Sequence, residues 1–242
     1  MKNSIEVINL SKSYKTKKAV HNINFKINEN EIVGLLGPNG CGKTTTIGMI
    51  LGLLKPTSGQ VLINGKNIEN NKISILHKMN FISPYIELPK KLTVKQNLIV
   101  YGKLYNIQNL NERIIFLSEK LRLGDLLDKI TGELSSGQKN RVSLAKALIN
   151  DPTVLLLDEP TAALDPETAD FIRTFLEKYK EEKKISVLLA SHNMDEVKRL
   201  CNSVMMMKDG NIVDSGTPEN LIKKYGQKNL EEVFLEIVRK DK

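Results

Sequence analysis

The chain has 242 residues, 40% hydrophobic and 26% charged, a balance that suits a soluble globular chain of one large or two small domains. No apolar run approaches the roughly 18 residues that span a bilayer, and the first ten residues are too polar for a signal core. The chain is therefore expected to be neither secreted nor integral to a membrane. A net charge of +8 with a pI near 9.3 would suit nucleic acid or an anionic surface. The lysines are spread along the chain, however, and aromatics are only 5% with no tryptophan to stack bases. The charge reads as a solvated lysine surface, and nucleic acid is not an expected partner. Cys41 and Cys201 are too few for a disulfide framework and read as reduced thiols. His21, His77 and His192 are too scattered for a metal cluster.

In chain order, Ile23, Phe25 and Ile27 alternate with polar residues as in a strand. Glu31–Leu36 is a short apolar strand that runs into Gly37. A helical period follows Lys43, with Ile47, Ile50, Leu51 and Leu54 on one side, until Lys55-Pro56 breaks it. Val61–Ile63 leads into the hairpin turn Asn64-Gly65. From Thr93 to Asn150 the pattern is helical, with Leu98, Tyr101, Leu104 and Tyr105 as one apolar face and Ile114, Ile115, Leu117 and Leu121 as another. Strand and helix alternate again afterwards: Thr153–Leu157, Pro166–Glu182, Ser186–Ala190 and Met194–Leu200. Val204–Met207 and Asn211–Ser215 flank Asp209-Gly210 as a hairpin, and Pro218–Lys242 is charged and helical. This order predicts an α/β fold with a mainly parallel sheet and an inserted α-helical subdomain.

Gly37-Pro38-Asn39-Gly40-Cys41-Gly42-Lys43-Thr44 fits G-x-x-x-x-G-K-[ST] in full, between a strand and a helix. Its glycines let backbone N–H groups turn toward phosphate oxygens, and the helix start adds a positive dipole end. Lys43 supplies charge to the β- and γ-phosphates, and the Thr44 hydroxyl suits Mg²⁺. Thr45 completes the set expected to touch the nucleotide. Cys41 sits where a helix start favours a thiolate, so alkylation there, with protection by MgATP, is expected. The loop specifies a nucleoside triphosphate and not the work done with it. Farther on, Val154–Leu157 ends in Asp158-Glu159. Ligands of a parallel sheet sit beyond the carboxyl ends of its strands, which places Asp158 to hold Mg²⁺ and Glu159 to orient or deprotonate a water.

Between these segments lies Leu134-Ser135-Ser136-Gly137-Gln138, and after them come Ala162-Ala163-Leu164-Asp165 and His192. In this order, over nearly the whole chain, the sequence resembles the ATP-binding-cassette (ABC) ATPases. The resemblance implies a P-loop NTPase core with an N-terminal antiparallel β subdomain. It implies a core over about 1–92 and 151–217, a helical subdomain over about 93–150, and a short helical tail over 218–242. It implies ATP with Mg²⁺, held between two subunits of a homodimer or of a pseudo-dimer with a related ATPase. Ser135 and the Gly137 amide would then reach the γ-phosphate across the interface, with Gln138 beside them. Asp165 would communicate across it, and His192, which alone would read as a surface histidine, would touch the γ-phosphate and steady the water. Tyr14 resembles the aromatic that stacks on adenine and equally fits a hairpin packing residue.

Two positions depart from the family pattern. Ser136 stands where a first glycine is usual, so the backbone there is expected to be ordinary. Pro84, in Ser83-Pro84-Tyr85, stands where a glutamine is usual, so a neighbour or a water must complete the metal site. Pro84, Tyr85 and the helix beginning near Thr93 are expected to line the surface that grips an integral membrane permease. The Ser-Pro-Tyr segment and Asn229–Ile237 resemble ATPases paired with exporter-type (ABC-2) permeases. The expected function is therefore ATP hydrolysis driving transport, in the export direction, at the cytoplasmic face of a membrane. An importer ATPase and a soluble regulator associated with ribosomes are the alternatives.

Overall fold

The computed structural model describes residues 2–15, 17–84 and 86–239. The chain opens with β1 (Asn3–Tyr14) and β2 (Lys17–Asn28), an antiparallel pair in which Ile5 faces Ile27 and Val7 faces Phe25. β3 (Ile32–Leu36) leads through the glycine loop into α1 (Lys43–Ile50). β4 (Ser58–Ile63) and β5 (Lys66–Asn67) form a hairpin around Asn64 and Gly65, both at positive φ. After α2 (Lys72–Leu76) and β6 (Met79–Ile82) come three helices, α3 (Val94–Leu104), α4 (Leu110–Lys120) and α5 (Ser136–Leu148). The remainder alternates: β7 (Val154–Asp158), α6 (Pro166–Lys183), β8 (Ser186–Ala190), α7 (Met194–Leu200), β9 (Ser203–Lys208) and β10 (Asn211–Gly216). Two helices close it, α8 (Pro218–Tyr225) and α9 (Leu230–Arg239).

Two sheets result. One is antiparallel, in the order β2-β1-β4-β5; the other runs β10-β9-β3-β8-β7-β6. Every pairing in the second is parallel except the edge pair β10·β9. The parallel strands are apolar at successive positions because they are covered on both sides. Leu155, Leu157, Val187 and Leu189 join the core shared with the helices, whereas Val154, Leu156, Leu188 and Ala190 join the core shared with α1 and the antiparallel sheet. This is the α/β architecture expected, with its antiparallel N-terminal sheet and its helical insertion between β6 and β7. Among the described residues, no helix is long and apolar enough to cross a membrane.

Two local expectations need correction, and a third is refined. α1 ends at Ile50, not near Leu54. Gly52 (φ +64) turns the chain, and Leu53 and Leu54 donate back to the Gly48 carbonyl, which lets Leu54 pack onto Gly48. Leu104 and Ile115 are exposed, Leu104 at 71%. The other expected residues do face the core: Leu98, Ile114, Leu117 and Leu121 are buried, and Tyr101 and Tyr105 pack against them. α3 also buries Val94, Asn97 and Gly102, with Asn97 Nδ2 donating to Thr131 Oγ1 at 2.8 Å. The C-terminal stretch is two helices, α8 and α9, with the break at Gly226 (φ +64).

Candidate functional site

Parallel strands deliver their carboxyl ends to one edge of the sheet. β3 stops before Gly37, β6 before Ser83, β7 at Asp158 and β8 before Ser191. Register pairs Leu35 and Asp158 with Ala190, and Ile82 with Leu157, so these four ends lie side by side.

The glycine loop is fitted to its place. Gly42 has φ +114, and a Cβ on it would lie 2.6 Å from the Ala19 carbonyl oxygen. A Cβ on Gly37 would lie 2.3 Å from the Met207 carbonyl oxygen. Lys43 Nζ arches over the loop, donating to the Gly37 and Pro38 carbonyls at 2.6 and 3.2 Å. A cavity of about 310 Å³ beside the loop is lined by Tyr14, Lys17, Ala19, Asn39, Gly40, Gly42, Lys43, Thr44, Thr45, Asp158 and Glu159. Its donor set is cationic and N–H-rich on the loop side, as a polyphosphate requires. The Thr44 hydroxyl and the Asp158 carboxyl offer hard oxygens, which fit Mg²⁺. Tyr14 pairs with Lys17 in the β1·β2 hairpin and is 43% exposed at the cavity wall, with Lys12 Nζ 5.2 Å from the ring centre. It is therefore not a buried packing residue. Lys17 and Ala19, which line the same wall, escape a motif reading because only the hairpin brings them there.

The Cys41 side chain points away from this cavity. It is 3% exposed, sits in the core below the loop, and burial pushes its thiol pKa up against the pull of Lys43. Burial thus disfavours the expected thiolate, and the side chain, facing the core, leaves the backbone of Cys41 to serve a phosphate.

Asp158 is buried, and that burial, with Glu159 beside it, raises its carboxyl above the ordinary range. Ser83 Oγ donates to Asp158 Oδ2 at 3.4 Å. Pro84 thus leaves the preceding serine against the acidic end of β7, a contact visible only once β6 and β7 are paired. Glu159 stands at φ +52, with its N–H on the Ala190 carbonyl at 2.8 Å. His192 Nδ1 lies 2.7 Å from Glu159 Oε1, and the His192 N–H donates to Oε2 at 3.4 Å. The histidine side chain is 72% exposed and the glutamate 18%. A solvent-facing acid–imidazole pair at the end of the cavity can hold and deprotonate a water.

The remaining candidates lie elsewhere. Ser135 caps α5: its Oγ accepts from Gln138 N–H at 3.3 Å, while Gln138 Oε1 accepts from Ser135 N–H at 3.0 Å. Ser136 is the first residue inside this helix and has no positive φ, as its side chain requires. Gly137 is buried, and a Cβ there would meet the Thr168 side chain at 3.1 Å. Asp165 caps α6 by accepting from Thr168 N–H at 2.9 Å, and that amide lowers its carboxyl pKa. None of Ser135, Gly137, Gln138 and Asp165 lines the phosphate-loop cavity. Beside the helices runs a second cavity of about 250 Å³, lined by Ile82, Pro84, Ile86, Leu88, Lys139 and Leu164 among others. Tyr85 lies outside the described residues.

A phosphate loop, an acidic strand end and a glutamate–histidine pair on one sheet edge define a nucleoside-triphosphate hydrolase. The family model described as ABC transporter matches residues 20–162, more than half of the chain, and the chain belongs to that family. A model described as AAA domain, putative AbiEii toxin, Type IV TA system, matches 130–197. The choline transport ATP-binding protein OpuBA of Bacillus subtilis (strain 168) is 35% identical over 93% of this chain, which spans only 60% of that relative's length. The Nod factor export ATP-binding protein I of Paraburkholderia xenovorans (strain LB400) is 36% identical, with 90% of this chain and 72% of the relative covered. The methionine import ATP-binding protein MetN of Latilactobacillus sakei subsp. sakei (strain 23K) is 38% identical, with 84% and 61% covered. A solved ATP-binding subunit of an ABC transporter superposes with a TM-score of 0.88 at 26% identity, covering 96% of this chain and 98% of that one. The dimeric post-hydrolysis state of an ATP-binding cassette bound to ADP and Pi gives 0.80 at 27%, covering 88% and 98%. The chain is an ATP-binding, ATP-hydrolysing cassette.

Proposed function

We propose that two copies of this chain, or one copy and a related ATPase, close on two ATP molecules and drive a separate membrane permease. The observation that carries this reading is the division of the candidate residues. Loop, acids and histidine share one sheet edge, while Ser135, Gly137 and Asp165 lie off the cavity, which supports a reading in which they meet the γ-phosphate held by a second subunit. The N-terminus of α5 then presents its free N–H groups and dipole to that phosphate. Within one subunit, Gly37–Thr45 cradles the phosphates, Lys43 neutralises their charge and Tyr14 stacks on the base. Thr44 and Asp158 would hold Mg²⁺, which would supply positive charge against the phosphates. Ser83 supplies the polar neighbour to Asp158 that Pro84 lacks. Glu159 takes the proton of the attacking water, and His192 keeps Glu159 and the water aligned.

The cavity of about 250 Å³ between the β6 end and α5 suits a cytoplasmic helix of the permease, with Lys90 in its lining and the exposed Lys91 next in the chain. We assign export on the likeness of Ser83-Pro84-Tyr85 and of the α9 segment to exporter-type ATPases; the methionine import relative favours import as the second reading. The chain thereby works at the cytoplasmic face of the membrane through its partner. The test is affinity capture of the tagged full chain from a detergent extract, with identification of what co-purifies. A multi-span membrane protein should be retained, and be lost when Lys90 and Lys91 are both replaced by Glu while ATP binding persists. Ribosomes in place of a membrane protein would refute the transport reading.

A further inference from the structure

Glu196 on α7 has no solvent exposure, and neither cavity near the site reaches it. Its Oε1 accepts from Thr161 Oγ1 at 2.8 Å and its Oε2 from Ser191 Oγ at 2.6 Å. Ser191 Oγ itself accepts from the Asn193 N–H at 3.1 Å, so its own proton is committed to the carboxylate. A buried carboxyl group is costly unless its oxygens are satisfied, and these two are satisfied by hydroxyls from two different turns. α7 does not need it as a cap, because Asn193 Oδ1 already accepts from the Glu196 N–H at 3.1 Å. Shape alone would be met by an apolar residue. What the carboxylate adds is a link between the turns.

Those turns carry the reacting pair. Thr161 lies two residues after Glu159, and Ser191 immediately precedes His192. The β7·β8 ladder ends at Asp158 opposite Ala190, with one further bond from Glu159 N–H to Ala190 O. Beyond that point the Thr161–Glu196–Ser191 bridge joins the two turns, in addition to the 2.7 Å contact of Glu159 with His192.

We infer that Glu196 is a positioning residue for hydrolysis: it clamps the turn bearing Glu159 to the turn bearing His192, so that the two side chains meet the attacking water as one unit. The inference rests on the reading of Glu159 and His192 as the pair that prepares that water.

The test uses steady-state ATP hydrolysis and ATP binding by the full chain, with near-isosteric removal of each arm. Thr161→Val and Ser191→Ala each keep the local volume and lose one hydroxyl. Both should lower kcat by about tenfold to a hundredfold, the scale of a small misplacement, while KM and ATP affinity stay unchanged. Thr161→Ser, which restores the hydroxyl, should recover kcat. Glu159→Gln, measured alongside, should fall by about 10²- to 10⁴-fold, and adding Thr161→Val to it should cause no further loss, since the clamp acts through Glu159. Wild-type kcat in both Thr161→Val and Ser191→Ala, beside an inactive Glu159→Gln, would overturn the clamp and leave the catalytic reading standing. A parallel loss of ATP affinity, or a full additional loss in the Glu159→Gln background, would also overturn it, as a general structural effect. Undiminished turnover in Glu159→Gln would remove the catalytic reading and the clamp with it.

Discussion

Cys41 shows how much a single residue depends on its surroundings. It occupies the phosphate loop next to a helix start, yet its side chain is packed into the core and its thiol is pushed up by burial. A raised thiol pKa means less thiolate at any working pH, hence slower alkylation. Native protein is expected to resist iodoacetamide at both Cys41 and Cys201, the latter also buried and raised. Mass spectrometry should show rapid labelling only after unfolding; fast labelling of Cys41 in the native state, blocked by MgATP, would reverse this. That Gly42, Lys43, Asp158 and Glu159 line one cavity was legible, because type and spacing place the loop and the acidic strand end at one edge of the sheet. Ser83 was not, because its contact with Asp158 depends on β6 lying beside β7, 75 residues on in the chain. The Thr161–Glu196–Ser191 bridge was hidden for the same reason.

At the scale of elements, α3 and α5 start with the same device. Thr93 and Gln96 form a capping box on α3, as Ser135 and Gln138 do on α5. Losing such a cap costs about 0.5–2 kcal/mol. Thr93→Ala and Ser135→Ala should therefore lower stability by similar amounts in denaturant titrations. Only Ser135→Ala should also weaken ATP-induced association, because only α5 is proposed to face a phosphate across an interface. Equal association in the two variants would leave Ser135 with a capping role alone. Strand identity was readable where every residue is buried and nearly all are apolar, as in β3, β7 and β8, since burial on both faces leaves no alternation to misjudge. Helix faces were less so. Asn97 takes a buried place on α3 through its bond to Thr131, and Leu104 is left in solvent, so counting apolar residues set Leu98, Tyr101 and Tyr105 on the core side correctly but missed Asn97 and misplaced Leu104. The end of α1 was misplaced because Leu54 keeps the helical period while packing back onto Gly48 after a glycine turn.

For the whole molecule, the central claim is that one chain holds two half-sites that meet only between subunits. In Glu159→Gln the size and hydrogen bonding of the side chain are kept and the base is lost, so ATP binds through Gly37–Thr44 and Asp158 and is not consumed. Each ATP then continues to join the loop of one subunit to Ser135 and Gly137 of the other. Light scattering coupled to sizing chromatography reads this directly, with the purified chain and with its permease complex. The account predicts that Glu159→Gln is dimeric in saturating ATP and monomeric in ADP, and that Lys43→Ala is monomeric in both because it loses ATP affinity. A Glu159→Gln protein whose subunits remain apart in saturating ATP, both alone and on the permease, would contradict it.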